Sequence, residues 1–193
     1  MKKLNLATKI TLFRVILIPL LLIVLLLPIG NNVYFNIGFL KCYLPYFCGL
    51  IIFVVAALSD AVDGHIARST NTITNLGKFL DPVADKLLVN SILIFFVATG
   101  HLPVLAVIIM ILRDIAVDAL RFIAAENNVV IAASIYGKLK TVFQMVTLSL
   151  LLLCALPGVA LVGWLQVLVW LTTLISLVSG VDYFIKNKKV LFN

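Results

Sequence analysis

Charge is what this chain has least of. Only 12% of its 193 residues are Asp, Glu, Lys or Arg, about half the fraction usual in soluble domains. With 63% hydrophobic residues and a mean hydropathy of +1.20, the chain would overfill a water-soluble core, so most of its surface must face lipid. Cysteine is also scarce. Cys42, Cys48 and Cys154 form no metal-binding or redox motif; Cys42 and Cys48 are near enough to pair, but spacing alone does not establish a bridge. No internal repeat or low-complexity tract is present.

The net charge of +7 raises the question of a nucleic-acid partner. The basic residues fall at intervals between apolar runs rather than on one face, which argues against nucleic acid and for a membrane protein with its basic loops on the cytoplasmic side. Lys2 and Lys3 ahead of an apolar stretch resemble a signal peptide. However, the charges continue to Arg14, no small-residue cleavage site follows and further apolar runs come later, so the segment reads as a retained first span.

A membrane span needs about 20 mainly apolar residues. Candidate runs lie near 10–29, 45–67, 78–99, 103–126, 135–156 and 160–185, and six spans with short loops use up nearly all of residues 1–193 as one catalytic domain. Basic residues cluster at the amino terminus, around 68–77, around 126–135 and after the last span, whereas the other three connections hold Lys41 alone. That alternation places both termini in the cytoplasm. The longest outer connection, Gly30 to Leu44, carries Tyr34, Phe35 and Tyr43, which suit an interfacial position. Leu4 to Phe13 mixes Asn5, Thr8 and Lys9 with apolar residues, so a short amphipathic helix on the cytoplasmic surface is expected before the first span. The expected fold is therefore all-α and integral to the membrane.

Acidic residues number eight, and four of them, Asp60, Asp63, Asp81 and Asp85, lie at the end of the second run and the start of the third. Ionisable groups in spans are costly and mark function. Four carboxylates with Arg68 among them would repel one another without a cation. Spacings of three and four place each pair on one helix face, and the polar link from Ser69 to Leu76 can fold the two helices into a hairpin with the pairs opposed. All-oxygen ligation favours a hard divalent cation such as Mg²⁺ or Mn²⁺. Gly64, Ala67 and Gly77 leave room for a flat base or a diphosphate, and would equally allow close helix packing. Pro82 is either a first-turn proline or a kink. A solvated acidic loop would not keep helical spacing beside apolar residues. A cation transport site would be expected near the bilayer midplane rather than at one end.

Asp60-Ala61-Val62-Asp63-Gly64-His65-Ile66-Ala67-Arg68, followed by Gly77-Lys78-Phe79-Leu80-Asp81-Pro82-Val83-Ala84-Asp85, resembles the signature of the CDP-alcohol phosphotransferase family at all eight fixed identities and every spacing. The likeness extends to six spans over nearly the whole chain. It implies an enzyme whose aspartates hold a divalent metal against the diphosphate of a CDP-linked lipid. Asp60, Asp63 and Asp81 would be mainly ligands, and Asp85 the general base and also a ligand. Asp60, Asp63, Gly64, Ala67, Arg68, Gly77 and Asp81 would frame the CDP-lipid. A homodimer and a bacterial plasma-membrane location are further expectations of the resemblance.

Within that family, three segments are similar to members whose acceptor is sn-glycerol 3-phosphate and whose donor is CDP-diacylglycerol. Asn5 to Arg14 resembles an Asn-x-x-Asn-x-Leu-Thr-x-x-Arg pattern, with Thr8 and Ile10 as departures. Arg113-Asp114 with Arg121 resembles an Arg-Glu…Arg segment, with Asp in place of Glu. Gly137-Lys138-Leu139-Lys140-Thr141, ending at Gln144, resembles Gly-Lys-x-Lys-Thr-x-x-Gln. Physically, Arg113 inside a span needs an anionic ligand or a carboxylate partner, and Asp114, Asp118 or a clustered aspartate could supply the latter. Arg113, Arg121 and Lys138 are the candidate pocket for the acceptor's phosphate, with Lys138 and Lys140 explained as well by anchoring at the cytoplasmic surface. Serine, inositol phosphate or phosphatidylglycerol would be the acceptor in a sibling enzyme. His65 and His101 carry no case of their own.

Overall fold

The computed structural model describes residues 6–27, 33–38, 40–69, 75–127, 129, 131 and 134–188; for 6–9, 60–69, 75–79 and 81 the description covers the backbone alone. Among these residues the chain is mainly helical: α1 (Leu6–Leu26), α2 (Leu44–Ser69), α3 (Asn75–Ala98), α4 (Val104–Glu126), α5 (Ile135–Cys154) and α6 (Gly163–Lys186). Each of the six apolar runs falls on one helix. Helices α5 and α6 are each long and apolar enough to cross a membrane, and α1 and α2 contribute the shorter apolar helices Ile10–Leu26 and Leu44–Ser59. Helix α4 is equally long, but Arg113, Asp114, Asp118 and Arg121 interrupt its apolar character.

Two local features differ from the sequence reading. Among the described residues no separate amphipathic helix precedes the first run: α1 is continuous from Leu6, and Thr11 and Arg14 turn inward rather than lying along a surface. The connection between α1 and α2 contains a β-hairpin, β1 (Tyr34–Ile37) and β2 (Leu40–Tyr43), paired antiparallel from Tyr34↔Tyr43 to Ile37↔Leu40. The aromatic residues Tyr34, Phe35 and Tyr43 suit strands, and the Tyr34 and Tyr43 rings meet across them tilted by 42° with centres 5.4 Å apart, the Lys41 ammonium lying 4.6 Å from the Tyr34 ring centre. Pro82 sits within α3, beyond the first turn. The three cysteines are free thiols.

The chain forms two compact units, one of Met1–Phe95 with Ser149–Val159 and one of Phe96–Leu148 with Ala160–Asn193. In the first, α1 packs along α2. Gly49 of α2 lies so close to α1 that a Cβ there would stand 2.8 Å from Leu25 Cδ2, so any larger residue would have to push that leucine aside. The Tyr46 ring near the start of α2 meets the Phe95 ring near the end of α3 edge to face, with centres 5.6 Å apart. With only 70–74 connecting them, α2 and α3 are therefore antiparallel.

In the second unit α4 and α6 run parallel, with α5 antiparallel to α4. Its pattern inverts that of a water-soluble protein. Thr172, Thr173, Ser176 and Ser179 of α6 are buried, while Val167, Leu174, Val178, Val181 and Ile185 are exposed. The inward threonine hydroxyls are satisfied locally: Thr147 and Thr172 share a 2.7 Å hydrogen bond, and Thr172 and Thr173 each donate to the carbonyl four residues back. Polar groups inward and branched apolar side chains outward suit a lipid surround.

Candidate active site

The acidic motif lies in the first unit. Asp60, Asp63, Gly64, Ala67 and Arg68 fall on the last turns of α2, and Gly77 and Asp81 on the first turns of α3; their side chains lie outside the described residues. The backbone nevertheless sets their level. Asp60 is fourteen residues along α2 from Tyr46, and Asp81 fourteen residues back along α3 from Phe95. At a rise of about 1.5 Å per residue, both stand about 21 Å from the Tyr46–Phe95 contact. The two aspartate-bearing segments are thus at one end of the unit.

Asp85, one turn beyond Asp81, is described in full. Its carboxylate is 44% exposed, and its Oδ1 lies 3.5 Å from Nη1 of the fully buried Arg14 of α1. Arg14 was read from the sequence as a basic residue opening the first span; the structure gives it a second task beside Asp85. The contact is an ion pair between a buried guanidinium and a partly exposed carboxylate.

The basic residues converge in the second unit. Arg113 Nη1 donates to Asp114 Oδ1 at 2.9 Å, and Nη2 donates to the Ser179 hydroxyl at 2.6 Å. Arg121, eight residues further along α4, donates from Nε to the Tyr183 hydroxyl at 2.8 Å. Both arginines thus reach the same face of α6, at residues one turn apart. Gly180 makes this possible, because a Cβ there would stand 2.9 Å from Arg113 Cγ. Gly180→Ala is expected to displace the arginine, cost about 1–3 kcal/mol by overpacking and raise the acceptor's KM while leaving the donor's unchanged. Thermal unfolding in detergent together with initial rates checks both.

Lys138 is exposed on the first turn of α5. Lys140 is the lysine that enters the cluster: it is 4% exposed and its Nζ donates to both Asp114 oxygens, at 2.7 and 2.6 Å. Ser134 starts α5 by accepting the Gly137 N–H at 3.0 Å, an N-cap that fixes where the helix begins. Two positions along a helix turn the side chain by about 200°, so Lys138 and Lys140 cannot share a face. Lys140 lies instead on the buried side with Gln144, Thr147 and Leu151. Asp114 was named from the sequence as a carboxylate partner for Arg113 and Lys140 as part of the same basic segment, whereas Ser179 and Tyr183 are contacts of this cluster that the motif reading missed. The 3–4 spacing of Lys140, Gln144 and Thr147, and of Ser176, Ser179, Gly180 and Tyr183, was the available signal. A cavity of about 330 Å³ lined by His101, Pro103, Gln166 and Trp170 opens at the opposite end of α4 and α6. It has no carboxylate or fixed cation in its walls, so phosphate chemistry does not belong there.

A family model for CDP-alcohol phosphatidyltransferase matches residues 4–178. The chain belongs to the CDP-alcohol phosphatidyltransferase family. Its relatives in that family include the CDP-diacylglycerol–glycerol-3-phosphate 3-phosphatidyltransferase of Bacillus subtilis (strain 168), 40% identical over 97% of both chains. The proteins of the same name from Wigglesworthia glossinidia brevipalpis, at 35% identity over 94% of both chains, and from Rickettsia typhi, at 32% over 93% of this chain and 95% of that one, are also similar. Family membership covers both clusters, since 4–178 takes in the four aspartates, Arg14, Arg113, Arg121 and Lys140.

Proposed function

We propose that this chain is an integral membrane enzyme that transfers the phosphatidyl group of CDP-diacylglycerol to sn-glycerol 3-phosphate, giving phosphatidylglycerol phosphate and CMP. The observation that carries the reading is the match, along 97% of both chains, to a relative whose name states that donor and acceptor. The six helices are six spans of one catalytic domain over residues 1–193, in a bacterial plasma membrane with both termini and the aspartates cytoplasmic. The basic residues at both ends and around 68–77 and 126–135 support that orientation, and a homodimer is the expected assembly.

The chemistry follows from the residues. Asp60, Asp63, Asp81 and Asp85 are an all-oxygen donor set of the kind that suits Mg²⁺ or Mn²⁺, and the backbone puts their helix segments at one end of the first unit. A divalent cation held by them would neutralise the diphosphate and stabilise the oxygen that leaves with CMP. Gly64, Ala67 and Gly77 leave space for the nucleotide, and Arg68 offers its planar fork to phosphate. Asp85 takes the proton of the acceptor's hydroxyl as that oxygen attacks the lipid-side phosphorus, with Arg14 as its ion-pair partner. Arg113 and Arg121 hold the acceptor's phosphate, with Lys138 as the solvent-facing third cation.

Incubating membranes that contain the protein with labelled CDP-diacylglycerol and one alcohol at a time tests the reading. Glycerol 3-phosphate should give labelled lipid phosphate and CMP; serine, inositol phosphate and phosphatidylglycerol should not. Product with serine and none with glycerol 3-phosphate would overturn the choice of acceptor.

A further inference from the structure

The phosphate contacts proposed above do not use Asp114. It is a carboxylate 9% exposed in the middle of a helix, and removing such a group from water has to be offset by close partners. Its partners are two cations: Arg113 reaches Oδ1, while Lys140 spans both oxygens. Two cations on one carboxylate leave the triad with a positive charge in excess.

The donors left over are equally informative. Arg113 Nε is buried without a hydrogen-bond partner among the described residues. An ammonium has three N–H donors, and Lys140 directs its Nζ only to Asp114. The Ser176 hydroxyl, three residues before Ser179 on α6, is fully buried and also lacks a partner among the described residues. A structural ion cluster would use up its donors, because an unmade buried hydrogen bond is costly. Excess positive charge, unused charged donors and an idle hydroxyl together describe a receptor for a multiply charged anion.

Building on the acceptor reading above, we infer that Asp114 is a positioning residue for the acceptor's phosphate: it clamps Arg113 and Lys140 into one two-cation receptor, in which Lys140 is a phosphate ligand that the motif reading did not assign. Without the carboxylate the two cations repel, and Lys140 loses the contact that holds it inward. Asp114 does not touch the reacting atoms, so its loss acts through affinity for the acceptor and not through the chemical step.

Asp114→Asn keeps the shape and removes the charge. It should raise the KM for glycerol 3-phosphate by about tenfold or more, the factor expected for weakening one charge-assisted contact, with kcat and the KM for CDP-diacylglycerol within about twofold. Lys140→Met should do the same. The double variant should be no worse than the poorer single one, because the two residues act as a unit. It also removes opposite charges together, which keeps the test alive if Asp114→Asn alone does not fold. Binding of inorganic phosphate, followed as the rise in unfolding temperature of the detergent-solubilised protein, should weaken in parallel. If the variants lower thermal stability but leave the acceptor's KM and phosphate binding intact, or raise both substrates' KM equally, Asp114 is a structural residue and the inference fails. If the wild type itself does not use glycerol 3-phosphate, the acceptor reading fails instead, and phosphate binding by wild type and variants still decides the role of Asp114.

Discussion

Asp85→Asn is expected to lower kcat by about 10²–10⁴-fold, the range for losing a positioned general base. The amide keeps the size of the side chain but cannot take the proton of the attacking hydroxyl. It also weakens any cation site that Asp85 shares with Asp60, Asp63 and Asp81, so added Mg²⁺ or Mn²⁺ should not restore the rate. The fold should survive. Asp85 is 44% exposed but its partner Arg14, 3.5 Å away, is fully buried, so losing the carboxylate takes a counter-charge from a buried guanidinium and should lower the unfolding temperature without abolishing the transition. Single-turnover rates of CMP release, measured beside thermal unfolding in detergent, separate the two effects. A variant that keeps wild-type turnover would remove Asp85 from the catalytic role.

Arg113→Ala should be the largest loss on the acceptor side. The guanidinium bonds Asp114 and Ser179 and keeps a buried Nε in reserve, and each hydrogen bond between a charged group and phosphate contributes about 1.5–3 kcal/mol. The expected fall in kcat/KM for glycerol 3-phosphate is therefore roughly 10–100-fold, with the KM for CDP-diacylglycerol nearly unchanged. Arg113→Lys should rescue little. A point charge on a flexible stem cannot bond Asp114, Ser179 and a phosphate at once, as the planar fork can. Equal loss toward both substrates would show that Arg113 shapes the protein as a whole and not the phosphate contact.

Much of this architecture is legible in the sequence because apolar runs, charge alternation and fixed spacings are local signals. The run near 103–126 predicts α4 (Val104–Glu126) almost to the residue, and Asp60, Asp63, Asp81 and Asp85 announce themselves by cost and spacing. What the sequence hides depends on partners far along the chain. Arg14 looks like one more basic residue at a membrane surface until α3 brings Asp85 beside it. Lys138 and Lys140 look interchangeable in the motif, yet the N-cap at Ser134 fixes a helical phase that exposes one and buries the other. Gly180 carries no signal in the sequence, and its place is explained only by Arg113 Cγ lying against it. The hairpin at 34–43 is short enough that its aromatic residues read as an interfacial loop, and only the pairing of Tyr34 with Tyr43 reveals strands.

In the proposed reaction the aspartates would hold a divalent cation that neutralises the diphosphate while the phosphatidyl group moves from CMP to the hydroxyl oxygen of glycerol 3-phosphate. The most direct measurement is CMP release from CDP-diacylglycerol by the purified protein, with glycerol 3-phosphate present or absent, in EDTA and after Mg²⁺ or Mn²⁺ is restored. Release should require both the acceptor and the cation, and should match the phosphatidylglycerol phosphate formed one for one. Undiminished release in EDTA, or release with no phosphatidylglycerol phosphate formed, would contradict it.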